Sequence, residues 1–501
     1  MPALVPNLKC SPDLLSRANY NGTIRMTNRS DFPQRHSTPH KNGHPGHYAA
    51  TSASTAEPQA PDFSAESPQG RSLASSSLAF PWIIFWVGLV LRLAYMTFAH
   101  TWRINPLDNH FEFGYEMGRV ARSLITGHGY GSPFWGNTGP TAWVPPLYPW
   151  LLAADFKLFG VYTPLAAWVI LAANCIFGAF TLPAVWQIAR RCFNRKVAAW
   201  ATWIWALYPA AMQYDVKWIW DMSLSCFLLS WVLVLALRMR GIGEPNEAKA
   251  EGATAGRWAL FAVLWALIAL SNPSIQVLLP ACGLWILWGS PQWRRQLAYG
   301  AMAAVLFWGC LTPWIYRNWV VFHHFIPIRS DFGFELFDGN GPGATGMIRE
   351  YDHPFQSPIQ LRDYRKMGEV AWMHWHQQMA DHYLAQHPWR FWQLTAKRIF
   401  MYWAGVPEPT SPKWWNALFR SLNFGFSSVV GLLGLALALR RKIEARWLFF
   451  WALALLPLTY YMITVHARFR HPMEPLIDIL GVYLFQSAAK SWKVRSLFRH
   501  G

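Results

Sequence analysis

Charged side chains are scarce in this chain of 501 residues. Asp, Glu, Lys and Arg make up 14% of the sequence, whereas a typical soluble domain contains about 25%. Hydrophobic residues make up 53%, with 32 Trp and 32 Phe. This composition excludes an ordinary water-soluble globular protein, and it excludes disorder for the chain as a whole.

Cysteines with paired spacing are lacking as well. Of the six cysteines, Cys10 lies in a polar stretch and Cys192 lies beside a basic turn, whereas the other four lie in apolar runs. Because no two of them have the spacing of a zinc site, the sequence predicts neither a disulfide framework nor a zinc-binding fold.

Acidic residues are fewer than basic ones, and the net charge is +18. Such a balance is typical of nucleic-acid binding, but here the basic residues cluster in short runs between apolar stretches. That placement is typical of the cytoplasmic ends of membrane helices. We therefore predict a membrane protein with no nucleic-acid partner.

Sustained apolar periodicity is absent from residues 1–77, which are rich in Ser, Pro, Asn, His, Thr and Gly. Such a segment buries too little apolar surface to offset its ordering entropy, so we predict a disordered cytoplasmic tail. No signal peptide is predicted, because the first apolar run begins too late. Translation from Met26 and a docking role for the tail stay open as alternatives.

About ten apolar runs follow, most of them close to the 20 or so residues that a transmembrane helix needs. They cover residues 79–99, 163–189, 196–213, 218–238, 257–271, 274–289, 296–316, 418–439, 446–464 and 472–489. Basic residues follow the second, fourth, sixth, eighth and tenth runs, so all of them fall on one side of the membrane. The positive-inside rule then predicts both termini in the cytoplasm, including a basic tail at residues 490–501.

Two long segments, residues 100–162 and 317–417, form outer loops in this topology, and both are long for mere connections. In the second loop, Ser357-Pro358 begins an amphipathic helix that ends at His387-Pro388, and a further helix over residues 389–403 runs back to the membrane. We therefore expect an all-α polytopic membrane domain over residues 78–489, with interfacial helices in its two outer loops.

The first outer loop contains three acidic residues, Asp108, Glu112 and Glu116. Glu112, Glu116 and Arg119 have i, i+4, i+7 spacing, so they share one face of a helix. A solvated surface helix explains many charge runs of this kind. The Pro-rich stretch at residues 139–149 favours a rigid return to the membrane, which would hold the acidic helix over a cavity.

Short motifs follow one another along residues 79–489. They are Ala121-Arg-Ser-Leu, Gly127-x-Gly129-Tyr, Pro145-Pro-Leu-Tyr-Pro, Leu158-Phe-Gly, Pro313-Trp-Ile-Tyr-Arg317-Asn318, Asp338-Gly-Asn340, Met367-Gly-Glu369, Gln386-His-Pro388 and Arg468-Phe-Arg470-His-Pro472-x-Glu474-Pro475. In their order and spacing the chain resembles the GT-C membrane glycosyltransferases, above all bacterial members of the glycosyltransferase 39 and 83 families. These families include the protein O-mannosyltransferases and the aminoarabinose transferase of lipid A.

The resemblance implies a sugar donor carried on a polyprenyl phosphate, an acceptor that is a protein, lipid or glycan, and an active site at the outer face of the bacterial inner membrane. It also implies a carboxylate in the first outer loop that assists attack by the acceptor. Glu116 ranks first for this role, Glu112 second and Asp108 third. The second acidic position of these families falls on Asp221, and Asp215 is a weaker candidate.

A departing lipid phosphate gains charge, so cations should face it. Arg317, Arg468 and Arg470 lie at outer ends of spans, and their planar guanidinium groups suit phosphate. For Arg468 and Arg470, interfacial anchoring is the alternative. Lys217 is a further candidate cation, or else it forms a helix-stabilising pair with Asp221. The other substrate-binding candidates that the motifs imply are Asn318, Asn340 and Glu369.

No organic cofactor is predicted, and a metal is left open. His374, His376 and His382 do not share a face of the predicted helix, so we favour interfacial histidines over metal ligands. A divalent cation held between Asp221 and Glu112 or Glu116 stays open, because paired carboxylates suit hard cations.

We therefore predict a glycosyltransferase that moves a hexosyl or pentosyl group from a lipid-phosphate-linked sugar. A polyprenyl-linked glycan flippase or a secondary transporter is the main alternative. Transporters place charges near the bilayer midplane and often show internal repeats. Here no repeat is found, Arg92 and Asp478 are the chief charges within spans, and the other ionisable residues collect at one face. This pattern favours surface chemistry on a lipid-linked substrate.

Overall fold

The protein is helical throughout the part that the structure, a computed structural model, describes. That part comprises residues 80–104, 113–244, 252–288, 290, 292–406 and 414–497. Within these ranges there are two isolated β-bridges, Gly131–Pro140 and Met347–Val465, and no named strand. The predicted all-α class is confirmed, whereas the predicted tail at residues 1–77 lies outside the described residues.

The helices follow the predicted spans and loop helices in order. They are α1 (Trp82–Phe98), α2 (Glu116–Ile125), α3 (Leu147–Phe159), α4 (Pro164–Cys192), α5 (Arg195–Leu207), α6 (Pro209–Val216), α7 (Met222–Met239), α8 (Ala255–Ser271), α9 (Leu279–Trp288), α10 (Trp293–Phe322), α11 (Phe332–Asn340), α12 (Pro358–Met367), α13 (Glu369–Gln386), α14 (Pro388–Ala404), α15 (Trp414–Arg440), α16 (Arg446–Leu455), α17 (Leu458–Met462) and α18 (Glu474–Leu497). Short 3-10 segments cover Pro273–Leu278, Glu350–Asp352 and Ala467–Met473.

Four of these helices are long and apolar enough to cross a membrane: α4, α7, α10 and the part of α15 from Leu418 to Arg440. Three further apolar helical stretches, 82–98, 255–271 and 273–288, are shorter. Large apolar side chains such as Val305 and Phe426 are more than 60% exposed, as expected for a surface that faces lipid. The fold is thus that of an integral membrane protein, and the number of spans stays a prediction.

Several predicted helices are interrupted at residues that cannot continue them. The predicted span 196–213 divides at Tyr208-Pro209 into α5 and α6, because proline lacks the N–H that a helix interior needs. The amphipathic helix predicted from Ser357 to His387 is in fact two helices, α12 and α13, separated by Gly368 at φ 79°.

The last helix is longer than predicted, because α18 continues to Leu497, beyond the predicted span limit at residue 489.

A buried ion pair crosses the interior of the bundle. Arg92 on α1 donates to Asp215 on α6 over 2.7 Å, and it also donates to the carbonyl oxygens of Gly88 and Ala206. A Cβ at Gly178 would lie 2.2 Å from the Asp215 carboxylate, so glycine is required there. Arg92 and Asp215 therefore neutralise each other within the packed helices.

Two of the predicted basic turns meet at one end of the bundle. Arg191, at the end of α4, donates to the Ile242 carbonyl oxygen and pairs with Glu244 at 2.9 Å. The ring of Phe193 in the same turn stacks on Tyr483 with a centroid distance of 4.2 Å. The turns after the predicted second and fourth spans therefore lie on the same side, as the topology requires.

Candidate functional site

A cavity of about 1390 Å³ lies where the two predicted outer loops meet the helix ends. Its acidic lining consists of Glu116, Asp221, Asp331, Glu335 and Asp338. Its basic and imidazole lining consists of Arg329, Arg349, Arg420, Arg468, His353 and His466. Aromatic side chains complete the wall: Tyr115, Trp143, Trp218, Trp220, Phe332, Phe334, Tyr351, Tyr460 and Phe469.

Glu116 enters this cavity from the first residue of α2. The chain turns into the helix through Gly114 at φ 81° and Tyr115 at φ 54°. A Cβ at Gly114 would lie 2.7 Å from the carbonyl oxygen of Ile219, so only glycine allows the loop to pack this close to the start of α7. The turn therefore places the Glu116 carboxylate in the cavity that Asp221 also lines, and the helix dipole stabilises a negative charge at this end of α2.

Glu116 has one described ion-pair partner, His353 of the second outer loop. Nε2 of His353 lies 3.0 Å from Oε1 of Glu116. Nδ1 of the same ring accepts a hydrogen bond from the backbone N–H of Phe355 at 3.2 Å. Because Nδ1 is an acceptor, a neutral ring carries its proton on Nε2, the nitrogen that lies beside Glu116.

Asp221 lines the cavity from the residue before α7. Its Oδ2 accepts a hydrogen bond from Ser225 at 2.9 Å, and the side chain of Ser225 in turn lies 3.3 Å from that of Ser271. Lys217 does not share a helix with Asp221, since it caps the end of α6. The predicted i,i+4 pair is therefore wrong, and Lys217 is exposed and outside the cavity lining.

Arg468 is the predicted phosphate arginine that does line the cavity. Its guanidinium lies over the ring of Trp220 at 4.4 Å, and it makes no ion pair with a described residue. Burial lowers the pKa of Arg468, while the charges of Glu116, Asp221 and Glu335 act in the opposite direction. The arginine therefore lies within the field of both candidate carboxylates.

Besides Arg420, sequence reasoning missed two further arginines in the lining. Arg329 donates to the Trp143 carbonyl oxygen and pairs with Asp331. Burial opposes the charge on Arg329, but the nearby carboxylates outweigh burial and raise its pKa. Burial also raises the pKa of Asp331 to about 7, although Arg329 opposes this shift. Arg329 lies on the predicted outer side, where basic residues are few, and that signal, which singled out Arg468, could have found it.

Arg349 is the other missed arginine. Its Nε lies 3.2 Å from Oδ1 of Asp338, and its Nη1 lies 3.0 Å from the carboxylate of Asp352. It also donates to the backbone oxygens of Phe337 and Pro342. Burial raises the pKa of Asp338 to about 8 despite the neighbouring Arg349. Arg349 thus holds the chain after α11 against the end of that helix. Part of the same side chain lines the cavity.

Arg317 and Asn318 lie outside the cavity lining. Arg317 donates to the carbonyl oxygens of Thr141 and Tyr130, at 2.7 and 2.6 Å, and to Asn318. Asn318 donates to the Ile326 carbonyl oxygen at 3.0 Å. These contacts fasten the first outer loop to the end of α10, and they leave the Arg317 guanidinium occupied by protein carbonyls.

Arg470 is also held by protein groups away from the cavity lining. It is 1% exposed, and it donates to Ser427 and Ser428 of α15 at 2.6 and 2.7 Å and to the Phe424 carbonyl oxygen at 3.2 Å. Its Nε lies 3.6 Å from Glu474. The side chain therefore joins α15 to the segment that begins the last predicted span.

Two further candidates have structural partners. Asn340 accepts from Arg398 at 2.7 Å and donates to the Met462 carbonyl oxygen at 2.9 Å. Glu369 accepts from the backbone N–H of Ala142 at 2.6 Å, and also from the following hydroxyl groups: Thr141, Ser330 and Tyr364. Both side chains are buried outside the cavity lining. Sequence position alone does not separate such framework residues from residues that face a ligand.

Asp108 and Glu112 lie outside the described residues, so the structure compares neither with Glu116. The other residue of the predicted charged face, Arg119, is buried and lies over Trp135 at 3.7 Å. Among the described residues, no group of three or more His, Cys, Asp and Glu side chains is placed to hold a metal ion. His376 is buried against Trp372, and the shared divalent cation stays a prediction.

Residues 143–316 match the family model described as dolichyl-phosphate-mannose-protein mannosyltransferase. The matched segment runs from the first outer loop, through the start of α7 with Asp221, into α10. The resemblance to the GT-C glycosyltransferases is thus confirmed over this segment. No curated protein gives a significant match to the chain.

Two solved structures overlap most of the chain. The apo form of the oligosaccharyltransferase from Archaeoglobus fulgidus has 13% identity and a TM-score of 0.45, over 84% of this chain and 52% of that one. ArnT from Cupriavidus metallidurans, bound to undecaprenyl phosphate, has 14% identity and a TM-score of 0.37, over 82% and 79%. The chain thus spans about half the length of the oligosaccharyltransferase. Overlaps at this level say nothing about activity or ligands of the present chain.

Proposed function

We propose that this protein is an integral-membrane glycosyltransferase, which moves a sugar from a polyprenyl-phosphate donor to an acceptor at the outer face of the membrane. One observation carries the proposal: a single cavity of about 1390 Å³ brings carboxylates and arginines of both predicted outer loops together. The match of residues 143–316 to a mannosyltransferase family supports sugar transfer as the reaction. A hexosyl or pentosyl group fits the proposal equally.

Glu116 is the general base in this proposal. A hydroxyl acceptor is a weak nucleophile, so a positioned carboxylate must take its proton as it attacks. The acceptor oxygen forms a bond to C1 of the sugar while the bond from C1 to the phosphate oxygen breaks. The proton passes to Glu116, and the bonding electrons leave with the lipid phosphate. Asp221, at the start of α7, is the second carboxylate that faces this step.

Arg468 is the foremost candidate to receive the departing phosphate. Its guanidinium makes no ion pair with a described residue and stands over Trp220, whereas Arg329 and Arg349 are already paired with carboxylates. A planar guanidinium can donate two parallel hydrogen bonds to a phosphate. A cation placed in advance where negative charge develops lowers the barrier to transfer.

The outer-face location is part of the proposal. The helix α7 begins beside the cavity at Asp221 and ends at Met239, next to the basic turn. Its 18 residues span roughly 27 Å, which is close to the thickness of a bilayer core. With the basic turns in the cytoplasm, the cavity faces outward, and both termini are cytoplasmic in the inner membrane of a bacterium.

The activity is tested with purified protein in proteoliposomes, supplied with polyprenyl-phosphate-mannose whose mannose is labelled and with membrane extract as acceptor. A transferase releases free polyprenyl phosphate in step with label on the acceptor. Movement of the intact labelled lipid across the bilayer without bond cleavage indicates a flippase instead. Donors with other labelled sugars then define the group that is transferred.

Reporter fusions test the orientation. Fusions at Asn137 and Gln356, both within the predicted outer loops, should report outside. Fusions at Asn194 and Glu444, both in basic turns, should report inside. A cytoplasmic signal at Gln356 would place the cavity on the wrong side and would contradict transfer at the outer face.

A further inference from the structure

The contact between His353 and Glu116 joins the two outer loops inside the cavity. Glu116 is 6% exposed, and the His353 side chain is 12% exposed. Nε2 of His353 and Oε1 of Glu116 are 3.0 Å apart, which is the distance of a close ion-pair contact. Among the described residues, no other side chain forms an ion pair or hydrogen bond with the Glu116 carboxylate, so the contact with His353 is its one anchor there.

The His353 ring is held from both sides. The Phe355 backbone N–H fixes the acceptor role of Nδ1, which directs the Nε2 proton to Glu116. Rings surround the imidazole at centroid distances between 5.3 and 5.7 Å, and they belong to Tyr115, Phe134, Trp143 and Phe334. The cage restricts the ring to one orientation and limits water, which strengthens a hydrogen bond to a charged group.

We propose that His353 is a positioning residue, which holds one oxygen of Glu116 through its Nε2 proton and leaves the other oxygen to accept the proton of the acceptor hydroxyl. The inference rests on the proposed function, because it takes Glu116 as the base. The histidine itself transfers no proton and contacts no substrate atom. It fixes the rotamer of the carboxylate, so that the base is already oriented when the acceptor arrives.

Other charges also act on Glu116. Arg119 lies on the same helix, and Arg329 and Arg468 face the carboxylate from the second outer loop and from the segment before the last span. These three cations remain in every His353 variant. A change in the pH dependence that follows the hydrogen-bonding ability of residue 353 therefore reports the His353 contact itself.

The test compares two replacements of different hydrogen-bonding ability. His353→Phe fills the aromatic cage but offers no donor. His353→Gln keeps both roles, since its amide can accept from Phe355 and donate to Glu116. His374→Gln is the matched control, because His374 is exposed and its hydrogen-bond partner is Gln378. For each variant we would measure kcat, KM and their pH dependence with labelled polyprenyl-phosphate-mannose, together with donor binding and melting temperature.

We expect His353→Phe to lower kcat about 10- to 100-fold, the equivalent of one hydrogen bond to a charged group. Donor binding should stay within twofold. The acidic limb of its pH–rate profile should move to higher pH, since a carboxylate that has lost a donor holds its proton more tightly. His353→Gln should recover most of the rate and the native acidic limb, and His374→Gln should match the native protein in every measurement.

A purely structural role would lower the melting temperature of both variants and leave the acidic limb in place, and that result would overturn the inference. So would strict additivity in a double variant, His353→Phe with Glu116→Gln, because residues that act through each other lose less together than separately. Failure of the proposed function looks different. In that case Glu116→Gln itself keeps its turnover, whatever the His353 variants do.

Discussion

Arg468 and Arg470 stand two residues apart in one 3-10 segment, yet they lie in opposite surroundings. Arg468 faces the cavity over Trp220 and makes no ion pair with a described residue. Arg470 is buried and donates to two serines and a carbonyl oxygen of α15. The guanidinium of Arg468 faces the cavity, whereas that of Arg470 is occupied by hydrogen bonds to protein groups. Motif membership alone therefore does not separate binding residues from framework residues in this chain.

The largest effect should come from the cavity side, at Glu116. Glu116→Gln keeps the shape of the side chain and removes the base, so we expect turnover to fall by about 10²-fold or more. The melting temperature should stay near the native value, because Gln keeps the size of the side chain and an oxygen beside Nε2 of His353. Donor cleavage is measured with the labelled lipid. Native turnover in Glu116→Gln would remove Glu116 as the base and leave Asp221 as the leading described carboxylate.

Arg468 should give a graded series. Lysine restores the charge but not the paired donors of a guanidinium, so Arg468→Lys should be intermediate and Arg468→Ala worst, with a loss of about 10²-fold in turnover. Donor binding should weaken in the same order, because the phosphate is charged before transfer as well as after it. The measurements are donor affinity and specific activity per folded protein. An Ala variant that binds donor as tightly as native protein would return Arg468 to the role of an interfacial anchor.

Arg470→Ala should show the opposite pattern. It removes several buried hydrogen bonds and leaves Glu474 without its 3.6 Å partner, a loss that typically destabilises a protein by about 3–5 kcal/mol. Folded Arg470→Ala protein should nevertheless bind donor like the native protein. Thermal unfolding in detergent and donor binding measure the two effects separately. Weakened donor binding at native stability would place Arg470 in the site and erase the contrast with Arg468.

The last effect concerns pH. Burial raises the pKa of Asp331 to about 7 and that of Asp338 to about 8, whereas an unfolded Asp titrates near 3.9. Between about pH 4 and 8 the folded protein therefore binds more protons than the unfolded chain, and stability falls as pH rises through this window. Melting temperatures between pH 5 and 9 should show this decline, with a shallower slope in Asp338→Asn. If the melting temperature falls with pH as steeply in Asp338→Asn as in the native protein, Asp338 is not a source of the pH dependence.

The course of the helices could largely be predicted from the sequence, because an apolar run of bilayer length leaves few alternatives. The apolar stretches that contain α4 and α7 were located to within a few residues. Proline and glycine interruptions are harder to predict: Gly368 divides the predicted amphipathic helix because its φ is positive, and the sequence between Ser357 and His387 does not reveal this.

The site was only partly predictable. Glu116, Asp221 and Arg468 do line one cavity, because each lies at or just before the start of a helix on the predicted outer side. His353 was missed because a single histidine in a loop has no periodic pattern, and its partner belongs to the other loop. Glu369 was placed among the binding residues because sequence does not show that its oxygens already accept hydrogen bonds from protein donors.

The bond between Arg317 and the Tyr130 carbonyl oxygen has a consequence for biosynthesis. The two residues are 187 positions apart, so at about 5–20 residues per second the ribosome needs roughly 10–40 s to reach the arginine after making the loop it fastens. In the proposed topology, the first loop crosses the membrane during that interval without the arginine that later holds it. In that topology, a chain that stalls before α10 would present its first loop at the outer face without the hydrogen bonds from Arg317 that fasten it.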